Sequence, residues 1–311
     1  MRCDNRFVAA MNQAAKEFLA ALDDEQSALA ALPFSDDAAR RWVEYRPHPR
    51  PGVSLSGLGD RARKAAHRLL STGLSEHAYA QAMTIIALEE VLDRREGWRR
   101  GRHSNDYWVA VFGDPARDDR WSWRFEGHHL SVTMTIIDGQ VSPAPVFLGA
   151  NPHRVEYRDR TVLQPLYLEE ETARALLAAM DPAQRDQAIV ADHAPYDIRS
   201  GTSSSTTLIE PLGVHSGRLD REAREILDQL VRLYIDRLPA ELAFGVGDDV
   251  HFAWEGPILP GGRHYYRIQG DDLLIEYDNT TEDGNHAHTV LRRPRADFGD
   301  DILARHRDQA H

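Results

Sequence analysis

The sequence predicts an α+β fold: an antiparallel sheet flanked by helices and preceded by a helical N-terminal region. Three observations predict it. Apolar residues recur at helical spacing through the first hundred residues, the period changes to two from Tyr107 onward, and the period-two blocks are punctuated by Gly- and Asp-containing turns.

Near the N-terminus Phe7, Met11, Ala14, Phe18 and Leu22 fall close to one helical face, and an alanine-rich stretch at 60–70 repeats the pattern. Between them RPHPRPG at 46–52 excludes helix, because a proline at every second position removes donors and clashes with the preceding turn. Residues 75–92 predict a third helix, N-capped by Ser75 and buried on more than one side. YWVAVFG, WSWRFEGHHLSVTMTIIDG and QVSPAPVFLGAN then read as an antiparallel meander.

Residues 169–190 return to helix, with Pro182 marking a new start after Asp181, and RSGTSSSTT at 199–207 predicts a loop. Residues 219–238 carry an amphipathic stripe through Ile226, Leu230, Leu233 and Leu238. Strands resume at VHFAWEG, HYYRIQG, DLLIEYDNT and HAHTVLRR, before a terminal helix near 300–307. The expected organisation is one domain, 1–311, with a helical part at 1–105 and a sheet-rich catalytic part at 106–311.

Composition narrows the function classes. Apolar residues make up 42% of the chain and charged residues 28%, which suits a globular protein rather than a disordered or membrane-spanning one. The net charge of −12 opposes a phosphate backbone, and the basic run at 94–102 is interrupted by Glu96, Gly97 and Trp98, so nucleic acid is not an expected partner. Residues 1–30 lack the continuous apolar block of a signal peptide, which predicts a cytoplasmic location. The one cysteine, Cys3, allows neither an internal disulfide nor a thiolate cage, so any metal takes nitrogen and oxygen ligands. No Gly-rich nucleotide fingerprint, P-loop or nucleophile elbow is present. The oligomeric state is left open.

Strand parity locates the chemistry. Alternation groups Arg124, Glu126 and His128 on one face and turns His129 to the other; it also groups Glu276 with Asp278, and His286 with His288. An H-x-H pair in a strand places two imidazoles about 7 Å apart on one surface, where they can converge on one ion. Folding 273–278 back on 286–292 brings Glu276 or Asp278 beside that pair, and His128 or His129 completes the set if the 122–136 strand lies alongside. The predicted ligands are His128, His286 and His288, with Glu276 as fourth ligand or orienting group. Glu126 is the candidate general base. Arg124 and Arg267 are the candidate grips for a substrate carboxylate, because guanidinium offers a planar fork that stays charged when buried. For each residue the bland alternative is a hydrogen-bonded core histidine or an internal ion pair.

The segments WRFEGHHLSVTMTIIDG, FLGANP, HFAWEGP, HYYRIQGDDLLIEYDNT, NHAHTVLR and DFGDDILARH, in this order, resemble a bacterial family catalogued as a domain of unknown function, number 3500. The helical part, through PFSDDAARRW, GLSEHAYAQAMTIIALEEVL and YWVAVFGDP, extends the resemblance to nearly the full length. It implies one continuous unit in which these segments are hallmarks, and it assigns no residue a role.

The expected function is therefore a metal-dependent enzyme with one transition-metal ion, acting on a small anionic or amino-acid- or peptide-like molecule. Oxidation at a mononuclear iron or copper site is favoured. A zinc-dependent hydrolase and a metal-free small-molecule binding protein are the alternatives.

Overall fold

The helical spacing of Met11, Ala14 and Phe18 produces helix α1 (Asn5–Leu19), which buries those three residues and packs on α2 (Asp60–Gly73). Helix α3 (Glu76–Arg95) buries Ala78, Ala82, Ile85, Ile86, Leu88 and Leu92, more than one face, as its composition predicts. Ser75 stands at its N-cap position, but the hydroxyl donates to the Asp236 carbonyl (2.6 Å) instead of capping the helix. The computed structural model describes residues 5–206 and 210–309; Cys3 lies outside them.

The period-two blocks form strands β1 (Tyr107–Phe112), β2 (Arg120–Gly127), β3 (Leu130–Ile137) and β4 (Val146–Ala150), then β5 (His251–Glu255), β6 (Tyr265–Gly270), β7 (Leu273–Thr281) and β8 (His286–Arg292). Between the two blocks lie helices α4 (Tyr167–Ala179), α5 (Pro182–Ala188) and α6 (Arg221–Ile235). Asp181 and Gln184 close a capping box on α5, so the break at Pro182 is a true helix start. The buried stripe of α6 runs through Ala223, Leu227, Leu230 and Tyr234, while Ile226 and Leu233 are only partly buried. The helix is thus rotated from the expected seam, because Tyr234 reaches inward to meet the Tyr266 hydroxyl (2.6 Å).

The strand order is β1-β2-β3-β4-β8-β7-β6-β5, and every neighbouring pair is antiparallel. Two meanders, distant in sequence, therefore join through the β4–β8 pairing. Short strands at the two ends, Ala31–Leu32 and Ile189–Ala191, pair in parallel with β1 and β5 and make the whole sheet mixed.

The sheet has two unlike faces. One carries Trp123, Phe125, Leu148, Ile268, Tyr277 and Leu291 against the helices, and this is the main core. The other carries Arg124, Glu126, Arg267, Glu276, Asp278 and His288, all buried, beneath segments 33–52 and 192–206, which are irregular apart from one helical turn at Asp37–Arg40. Burying so much charge requires partners. Backbone groups of the covering segments supply many of them: the Glu44 amide donates to Glu126 (2.9 Å), and the Arg199 and Ser200 amides donate to Glu276 (2.7 and 3.2 Å). A small apolar cluster of Val43, Tyr45, Phe147, Ile198, Val290 and Phe298 fixes the cover to the sheet. Among the described residues no helix is long and apolar enough to cross a membrane.

Candidate metal centre

The β2–β3 hairpin turns on His128 and His129 between the paired residues Gly127 and Leu130. His129 adopts the left-handed conformation (φ 61°), which ends the alternation of the strand and sends its ring toward β8. Three bonds hold the turn: the His129 amide to the Tyr45 carbonyl (3.0 Å), the Gly149 amide to the His129 carbonyl (2.7 Å), and the Tyr107 hydroxyl to the His128 carbonyl (2.8 Å). On β8 the H-x-H spacing puts His286 and His288 on one face. Gly149 of β4 lies opposite His288, and a Cβ there would stand 3.0 Å from the His129 ring and 3.1 Å from the His288 ring. The missing side chain is the room in which the rings meet.

The meeting is close. His129 Nε2 lies 2.7 Å from His286 Nε2, which lies 3.0 Å from His288 Nε2. The far side of His288 faces carboxylates: Nδ1 is 2.8 Å from Asp197 Oδ1 and 3.3 Å from Asp278 Oδ2. Asp197 is itself held by the Tyr45 hydroxyl (2.8 Å), and Tyr45 stacks on Phe147 with ring centroids 4.2 Å apart. His286 Nδ1 lies 3.4 Å from Asn151 Nδ2 and 3.7 Å from Glu282 Oε1.

Electrostatics divides the three rings. Burial and the neighbouring imidazoles hold His129 well below the usual histidine range, and burial lowers His286, so both are neutral with a lone pair to offer. Burial also opposes charge on His288, but Asp278 and Asp197 outweigh it and raise its pKa to about 9. The two carboxylates favour positive charge at this ring, and a cation at its Nε2 meets the same field. They also keep a proton on Nδ1, which leaves Nε2 directed at the other two rings.

The two histidine clusters expected from the sequence come together, with His129 rather than His128 in the group. His128 is turned onto Glu89 of α3 (Nδ1 to Oε1, 2.6 Å), with Arg102 Nη1 3.3 Å from the same nitrogen. Burial pushes the Glu89 carboxyl up to about 8 despite Arg102. The His128 and His129 rings pack at 3.7 Å, and nitrogen or oxygen atoms of Glu89, His128 and His129 lie within 4.8 Å of one another. Strand parity misassigned the pair because alternation stops at Gly127.

Glu276 is not in the group either. Its oxygens accept from Arg199, Ser200 and the Tyr265 hydroxyl (2.8 Å), and Asp278, one alternation further on, stands behind His288 instead. Glu126 is fully buried between the Ser131 hydroxyl (2.6 Å), the Glu44 amide and Arg124 (3.2 Å). Arg124 in turn donates to the carbonyls of Ala39 and Pro51 (3.0 Å to the latter) and lies over Trp42 and Phe112. Both tie the covering segment to the sheet and stand outside the imidazole group. Arg267 lies on the same face as His288, opposite Glu276 in the register. Asp197 and Tyr45 carry no signal in the sequence, since they sit in irregular segments without a period.

A family model described as a protein of unknown function (DUF3500) matches residues 4–300 of the 311-residue chain. The chain belongs to the DUF3500 family. No curated protein and no solved structure matches it. The match takes in both meanders of this DUF3500 protein and every residue of the imidazole group.

On its helix-side face the DUF3500 chain buries a second polar group. His153 Nε2 lies 3.0 Å from Glu170 Oε2, Arg174 donates to Glu170 Oε1 (3.1 Å), and His264 stacks on Trp254 at 4.3 Å. Burial raises the Glu170 carboxyl, but His153, His264 and Arg174 outweigh it and bring the pKa to about 2.

Proposed function

We propose that this protein is a metal-dependent enzyme whose ion is held by His129, His286 and His288. The observation that carries the reading is the convergence of three imidazole Nε2 atoms with neighbouring separations of 2.7 and 3.0 Å. An ion with nitrogen ligands at about 2.0–2.1 Å takes pairs of them roughly 3 Å apart, so a small outward adjustment seats it. Asp197 and Asp278 support the reading a second time. Metal-binding imidazoles are oriented by carboxylates on their outer nitrogen, and the buried Asp278 with the partly exposed Asp197 supplies two negative charges to balance a divalent cation.

The all-nitrogen set suits copper, iron or zinc rather than magnesium or calcium. Three protein ligands leave positions for a substrate and for water or dioxygen. His286 is the most exposed of the three, its side chain 17% accessible, so the open positions lie on its side. The expected base, Glu126, is enclosed by Arg124, Ser131 and Glu44, and the carboxylate on the open side is Glu282, 3.7 Å from His286 Nδ1. The all-nitrogen set suits a redox metal, and the reading taken is oxidation of a small anionic or amino-acid-like molecule by iron or copper.

Elemental analysis of protein purified without a histidine tag or chelator tests the reading. Iron or copper near one equivalent is the expected result. Zinc alone would direct the chemistry to hydrolysis, and a chain that takes up none of the three would leave a metal-free binding protein.

A further inference from the structure

Burial of a guanidinium is tolerated when a carboxylate or several acceptors satisfy it. Among the described residues, every buried arginine but one has a carboxylate oxygen within 4.0 Å, as Arg124 has Glu126 (3.2 Å), Arg237 has Glu169 (2.7 Å) and Arg292 has Asp297 (2.7 Å). The exception is Arg267, only 2% exposed. Its Nε and Nη2 are buried and have no hydrogen-bond partner. These adjacent N–H groups form one edge of the guanidinium, the edge that grips two oxygens of a carboxylate or phosphate.

The nearest acid in the register does not satisfy it. Glu276 sits opposite Arg267 on β7, but its oxygens are taken by the Arg199 and Ser200 amides and the Tyr265 hydroxyl. Further polar atoms lie unpartnered in or under the segment that covers this part of the face: the hydroxyls of Ser200 and Thr206, and Nη2 of Arg292, whose Nη1 donates to the Ser203 carbonyl (2.8 Å). Segment 199–206, tied to β7 through Glu276 and to β8 through Arg292, thus covers a face that holds polar atoms without partners.

We propose that Arg267 anchors an oxyanion-binding site between this sheet face and segment 199–206, one that takes the carboxylate or phosphate group of a small molecule. Its role as the substrate anchor rests on the metal-enzyme reading; the anion site itself does not. Arg267, Glu276 and Val290 form one cross-strand row and Asp278 and His288 lie in the next, so backbone positions of Arg267 and His288 are roughly 12 Å apart on one surface. That separation suits a substrate of amino-acid or dipeptide size with its acid group at Arg267.

The test uses full-length, chelator-treated protein titrated with sodium acetate or with inorganic phosphate at constant ionic strength, followed by calorimetry and thermal unfolding. One of the two probes raises the wild-type Tm saturably, and which one identifies the carboxylate or the phosphoryl group as the ligand chemistry. Affinity falls about tenfold or more in Arg267→Lys, which keeps the charge and loses the fork. It vanishes in Arg267→Met. Failure of both probes on the wild type, or an Arg267→Met response equal to that of wild type, overturns the proposal. If Arg267→Met does not fold, the wild-type and Arg267→Lys titrations decide alone. Metal content is measured on separate samples, so loss of the metal reading leaves this result standing, and the reverse.

Discussion

Nε2 of His129 and Nε2 of His286 lie 2.7 Å apart although 157 residues separate them in the chain. A buried and a partly buried imidazole at that distance share a proton or a cation. His288, with two carboxylates behind it, makes a cation the better occupant.

The first prediction separates ligands from neighbours. His129→Ala, His286→Ala and His288→Ala should each lose the ion while keeping the wild-type far-ultraviolet circular dichroism. His128→Ala and Glu276→Gln should both retain it. Elemental analysis of the five variants decides. Full occupancy in any of the first three means that the ion sits elsewhere.

The second concerns the carboxylates behind His288. Asp278→Asn and Asp197→Asn remove negative charge without removing a ligand, so metal affinity should fall by roughly 10- to 100-fold and not vanish. Competition against a chromophoric chelator measures it. Unaltered affinity in both would make the two acids bystanders.

Gly149→Ala provides a steric test of the same site. The added methyl would lie 2.9 Å from the Ala287 carbonyl as well as against the two rings. Overpacking of this kind costs roughly 1–3 kcal/mol, and the rings it displaces are those of the proposed ion site. Both denaturant stability and metal affinity should drop. A variant with wild-type values for both would show that the rings do not need this space.

The fourth prediction is a pH dependence far from the centre. The Glu170 carboxyl is depressed to about 2 in the folded protein against an ordinary value near 4.5. A depressed carboxylate contributes stability that is complete above the unfolded value and is lost as pH falls through 4.5 toward 2. The shift corresponds to roughly 3 kcal/mol. Glu170→Gln should be less stable than wild type at pH 7, and the difference should shrink on acidification. Urea unfolding from pH 7 to pH 3 follows it, and parallel curves would contradict the assignment.

The order of helices and strands was legible because each block holds one period for long enough to declare it. The H-x-H pair was legible for the same reason: His286 and His288 lie inside a strand, where spacing fixes direction. His129 was not, because a turn residue with positive φ points where the turn sends it and not where alternation does. The choice of Asp278 over Glu276 depends on where the covering segment 192–206 lies. Its backbone occupies Glu276 and its Asp197 joins Asp278, and nothing periodic in that segment announces either contact. Arg124 and Arg267 look alike in sequence. They differ because Arg124 has Glu126 on its own strand and two carbonyls from the cover, while Arg267 has no carboxylate oxygen in reach and two unpartnered nitrogens.

The pairing of β4 with β8 joins the two meanders, and the imidazole group spans that seam, with one ring from the first meander and two from the second. An ion bound there would be a rivet across the most long-range pairing of the sheet. Neither half of the chain could hold it alone, so it would select molecules in which the halves have already docked and would slow their separation. Resistance to proteolysis should thus follow metal loading, with the longest-lived molecules being those whose seam is closed around the ion.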